Sequence, residues 1–111
     1  MQDSIEAKLI KLSERLSEIE KQLIEESSTL NQDDLISLNK EFSHIQPIVD
    51  LYSKYLKVLD ENTQAISLSK SDENEIKELA QIEVEETENS MNEILGELKL
   101  MLLPVDEDDE R

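Results

Sequence analysis

Leu35-Ile36-Ser37-Leu38-Asn39-Lys40-Glu41-Phe42-Ser43-His44-Ile45-Gln46-Pro47-Ile48-Val49-Asp50-Leu51-Tyr52 decides the fold. Leu35, Leu38, Phe42, Ile45, Val49 and Tyr52 recur every three or four positions, which places them on one face of an α-helix. The same beat continues through Leu56, Leu59 and Ile66, with Thr63 filling one position. Pro47 falls inside the run. A proline there removes one backbone hydrogen bond and crowds the carbonyl of Ser43, so the sequence predicts a kink near Pro47. A break is not expected, because a restarted helix would lose the phase that the apolar residues keep. Asn31 or Gln32 begins this second helix, with Asp33 and Asp34 in its positively polarised first turn.

Upstream, Ile5, Leu9, Leu12, Leu16, Ile19 and Leu23 form a heptad seam on a helix from about Ser4 to Glu26. Each such side chain gains roughly 1.5–3 kcal/mol when fully buried, and a lone helix in water buries none, so the seam requires a partner. Glu25 to Asn31 supplies polar turn formers. Downstream, Ser67 to Asp72 is the second connection, and Asp72 with Glu75 forms a D-x-x-E start signal. The third helix then runs from about Glu73 to Leu103, with Ile76, Ala80, Val84, Thr87, Met91, Ile94, Leu98 and Met101 on one face. Gly96 inside it costs about 1 kcal/mol relative to Ala, and Pro104 ends it.

The expected fold is therefore all-α: an antiparallel three-helix bundle of long, coiled-coil-like helices over residues 1–103, followed by an acidic linker at 104–111. The core seam comprises Leu9, Leu12, Leu16, Leu38, Phe42, Ile45, Val49, Tyr52, Met91, Ile94 and Leu98. At 1.5 Å per residue the first helix spans roughly 34 Å and the other two roughly 45–50 Å. The longer pair should overhang the first, leaving apolar surface uncovered and favouring self-association.

Charge narrows the function. The chain carries 28 Asp and Glu against 11 Lys and Arg, a net charge of −17. Such a surface repels phosphate and excludes broad nucleic-acid binding. Residues 1–70 hold 13 acids and 8 bases, whereas residues 71–111 hold 15 and 3, so any RNA contact is expected from the first 70. There is no Cys, hence no disulfide framework or thiolate metal site. Met1 to Lys8 has neither a basic n-region nor an apolar h-region, and the longest apolar run is Leu100 to Leu103. A cytoplasmic protein is expected.

Three segments bear a family resemblance. Leu38 to Val49 resembles the L-S-K-E-Y-x-x-L-x-P-I-V segment of bacterial class I peptide chain release factors, the type reading UAA and UAG. Leu102 to Asp109 resembles that family's L-L-P-x-D-x-D-D motif, and Lys8 to Arg15 its K-L-x-x-L-x-x-R arrangement. The resemblance implies the N-terminal helical domain of a translation termination factor, with the linker leading to further domains. In the family, Phe42 and the apolar pair after Pro47 correspond to positions on the bundle core. A later stretch leads into another helix that packs on this domain, and the overhanging seam is where it would dock. The family releases peptide through a Gly-Gly-Gln loop and reads the codon through a short Pro-containing loop. Neither stretch occurs in these residues, so they are expected to dock and not to catalyse. The implied partners are the ribosome, at the GTPase-associated centre of the large-subunit stalk base, and functionally the class II release factor, a GTPase. The methyltransferase that modifies the Gly-Gly-Gln loop is a further implied partner.

Lys8, Lys11 and Arg15 share one helical face and are the candidate ribosome contact, either as a cationic strip for RNA or as a solvated face laced with i,i+4 pairs. Asp106, Asp108, Asp109 and Glu110 suggest calcium, but an EF-hand loop also needs Gly at its sixth position and Glu at its twelfth. They read as linker, so neither a metal nor a cofactor is expected. Glu83, Glu85, Glu86 and Glu88 read as solvated charge. His44, one residue before the seam, reads as a surface group. Seam phase places Tyr52 inside and leaves Tyr55 as the recognition candidate, while Met91 and Met101 read as core filler. The competing class is a spectrin-like structural or adaptor three-helix module, although this chain has no Trp and its first helix is short. A disordered acidic segment is the third option, and the periodicity argues against it.

Overall fold

A computed structural model of the chain describes residues 3–103. The segment 104–111, expected to be an acidic linker and carrying Asp106, Asp108, Asp109 and Glu110, lies outside the described residues. The fold is all-α: α1 spans Asp3–Glu25, α2 Gln32–Leu68 and α3 Asn74–Met101, with no strand among the described residues.

Local chemistry sets the ends. Asn31 caps α2: its Oδ1 accepts the Asp34 backbone N–H at 2.8 Å, and Asp33 and Asp34 occupy the first turn. The start of α3 differs from the D-x-x-E expectation. Glu73 is the cap residue and makes no side-chain cap bond; instead its own N–H donates to Ser71 Oγ at 3.1 Å. The last turn of α3 closes through Leu102 N–H to Leu98 O at 3.0 Å, so the helix stops two residues short of Leu103.

The chain divides into two compact units, Met1–Ser53 and Lys54–Arg111. In the first, α1 and the leading part of α2 are joined by a short turn, in which the Thr29 and Leu30 N–H groups donate to Glu26 O. Leu9, Leu16 and Ile19 are buried on α1; Ile45, Ile48 and Tyr52 are buried on α2. Leu16, Ile19 and Ile45 form a cluster against which Leu12, Leu23, Leu38, Phe42 and Val49 pack half-buried. Pro47 is exposed and α2 passes through it uninterrupted, the ring lying on the wet side of the helix.

The second unit pairs the remainder of α2 with α3, and here the α2 seam is corrected. The buried residues are Tyr55, Asn62 and Ala65, each one position before the expected Leu56, Thr63 and Ile66, which are exposed, as is Leu59. One residue is about 100° of helix rotation, so a different face is covered. Tyr55 is therefore core and not a surface recognition residue. The reason is polar. Asn62 Nδ2 donates to Thr87 Oγ1 at 2.8 Å, and the Thr87 hydroxyl donates to Glu83 O at 2.8 Å. Both side chains are buried, and no buried side-chain nitrogen or oxygen among the described residues lacks a partner. A scan for large apolar residues passes over an amide and an alanine, and so settles on the wrong face.

On α3, Ala80, Thr87, Ile94 and Leu98 are buried, and Val84 and Met91 half-buried. The ends diverge: Ile76 and Met101 are exposed, so Met101 is not core filler. An added Cβ on Gly96 would meet nothing within 4 Å, so close packing does not require a glycine there.

Candidate functional site

Within the first unit, α1 sets Lys8, Lys11 and Arg15 along one face, and the structure separates them chemically. Lys8 and Lys11 are exposed, and among the described residues neither takes an ion partner. Arg15 is half-buried and committed. Its Nε donates to Glu41 Oε2 at 2.6 Å and its Nη2 to Glu41 Oε1 at 2.8 Å, a two-pronged clasp from α1 to α2. Nη1 adds a contact of 3.3 Å to Glu18 on its own helix. What the ion pair leaves as available positive charge is Lys8 and Lys11.

Glu41 was the residue the sequence could not nominate, because nothing local shows which carboxylate a neighbouring helix will offer an arginine. The hydrogen bonds from Arg15 hold the Glu41 carboxyl below the usual glutamate range, and Glu41 in turn holds the guanidinium above its ordinary value. A carboxyl lowered in the folded state stabilises the fold above the unfolded pKa, and that stability is lost as acidification carries the pH through the lowered value. The side chains of Arg15 and Glu41 are 38% and 39% exposed, so solvent screens the pair and about 1 kcal/mol is the expected scale. Urea titrations of the wild type and Glu41→Gln should differ by about that much at pH 7 and by less at an acidic pH that protonates the Glu41 carboxyl in the folded chain. A gap of equal size at both pH values would show that the ionised carboxylate is not its source.

Within the second unit, α2 and α3 leave a groove of about 440 Å³ lined by Glu61, Gln64, Ala65, Leu68, Ile76, Leu79, Ala80 and Glu83. Each helix contributes residues at i, i+3, i+4 and i+7, a single face. The two alanines are buried, whereas Leu68 and Leu79 are more than half exposed. His44 is exposed. No group of three or more His, Cys, Asp or Glu among the described residues is arranged to hold a metal ion.

The sequence model of the PCRF domain, a domain of peptide chain release factors, matches residues 12–111. The chain belongs to that family. No solved structure matches it. As a PCRF domain the chain is a part of the translation termination machinery, and the PCRF domain is a non-catalytic part of release factors. Its general partner is the ribosome. Arg15 and Glu41 both fall within the matched stretch, while Lys8 and Lys11 precede it. No described helix is long and apolar enough to cross a membrane.

Proposed function

We propose that this PCRF domain docks a class I release factor of the UAA/UAG-reading type, in the cytoplasm, at the GTPase-associated centre of the large ribosomal subunit. There it helps position the factor. The match of the PCRF domain across residues 12–111 carries the reading, and the Leu102 to Asp109 motif supports the assignment of type. The class II release factor GTPase is the functional partner, and the methyltransferase that modifies the Gly-Gly-Gln loop is a second one. Lys8 and Lys11 are the cations placed to meet ribosomal RNA. Arg15, clasped to Glu41, holds α1 in position beside them. Residues 1–103 act as the docking domain and 104–111 as the linker.

The expected result is that this chain co-sediments with large ribosomal subunits and competes with a complete release factor for them. Each phosphate contact adds about 0.7–0.9 to the salt slope of binding. Lys8→Glu with Lys11→Glu should therefore weaken binding and flatten that slope by roughly 1.4–1.8. A folded chain that fails to compete would sink the docking reading. A slope unchanged by the double substitution would remove the two lysines from it.

A further inference from the structure

We propose that the groove of the second unit is a docking site for a cationic amphipathic helix of a partner protein, one carrying an apolar stripe flanked by Lys or Arg. Leu68, Ile76 and Leu79 form apolar walls over a floor of Ala65 and Ala80. The small floor residues let an incoming side chain approach the backbone. At the end nearer the Asn62–Thr87 pair stand Glu61 and Glu83, exposed carboxylates with no ion partner among the described residues. An apolar trough closed by two unneutralised carboxylates asks for an apolar face followed by positive charge.

The surrounding charge has the same sign. Between residues 61 and 83 stand Glu61, Asp72, Glu73, Glu75, Glu78 and Glu83 against only Lys70 and Lys77. RNA is excluded from such a rim by repulsion. A second copy of this chain would set one acidic rim against another, each molecule carrying −17 overall. A helix bearing Lys or Arg beside its apolar stripe gains from both features, and a helix-in-groove contact reads the i, i+3, i+4, i+7 set that both walls present. This inference rests on the groove alone and stands apart from the ribosomal reading.

The test uses the whole chain and a designed probe, a 14-residue Leu/Lys helix, titrated calorimetrically at physiological salt. Two control probes accompany it: the same composition with its helical period scrambled, and a Leu/Glu version. The Leu/Lys helix should bind, the scrambled probe at least tenfold more weakly, and the Leu/Glu probe not at all. Leu79→Ser, at a position 69% exposed and so outside the core, should cost at least tenfold. Glu61→Gln with Glu83→Gln should cost about threefold to tenfold, whereas Glu20→Gln with Glu25→Gln on α1 should cost nothing. Equal affinity for wild type and Leu79→Ser would overturn the proposal, since binding would then be diffuse charge attraction. A wild-type dimer in sedimentation that Leu79→Ser makes monomeric would also overturn it, by giving the groove to a second copy, and so would binding of the probe to this chain but not to a complete release factor, by giving the groove to the later helix of the same polypeptide.

Discussion

Ile19→Ala should destabilise the chain by about 2–5 kcal/mol, the cost of truncating a fully enclosed aliphatic side chain. Ile19 exposes none of its surface and sits in the cluster with Leu16 and Ile45. Its neighbours on α1 and α2 are held by helical backbone and cannot move far into the space left behind. The residual cavity therefore adds to the lost transfer energy. Conversely, Ile24→Ala should change little, because Ile24 on the same helix is 78% exposed. Urea denaturation followed by circular dichroism at 222 nm checks both. A loss below about 1 kcal/mol for Ile19→Ala would mean that α1 is not seated as described.

Pro47→Ala should act in the opposite direction, raising stability by up to about 3 kcal/mol, the usual penalty of an interior proline. Alanine restores an N–H able to donate to the Ser43 carbonyl and removes the ring that crowds it. No packing is forfeited, because Pro47 is exposed while the helix runs unbroken from Gln32 to Leu68. A rise in the urea midpoint with an unchanged denaturant slope is the expected signature. A drop would show that the proline ring or the local backbone geometry it imposes is needed by Ile48 and Tyr52, which are buried on the following turn. In that event the proline would serve the fold and not merely be tolerated by it.

Fold class was legible because apolar spacing on α1 and α3 is nearly regular. On α1 the residues from Leu9 to Leu23 marked by spacing are buried or half-buried. The second half of α2 was less legible for a definite reason. Leu56, Leu59 and Ile66 keep a faultless beat, yet the covered residues are Tyr55, Asn62 and Ala65. Spacing reports which large apolar residues share a face. It does not report that a small or polar residue fills the interior when a partner across the gap satisfies it. The site was half legible. Lys8, Lys11 and Arg15 do share an α1 face, but the choice between free cation and clasped cation depended on Glu41, which lies 26 residues away on another helix. The groove was foreshadowed only as uncovered seam; its rim of Glu61 and Glu83 came from the structure.

The amide–hydroxyl contact between Asn62 and Thr87 also fixes registration. Two smooth greasy rods can slide past each other by one turn, about 5.4 Å, and lose little by it. Here such a slip would strand the Asn62 amide in a dry interior, a penalty of about 1–3 kcal/mol, while in the present registration Thr87 Oγ1 accepts it at 2.8 Å. The α2–α3 hairpin is thus pinned like a notched ruler, so whatever meets its far end meets it at a set distance.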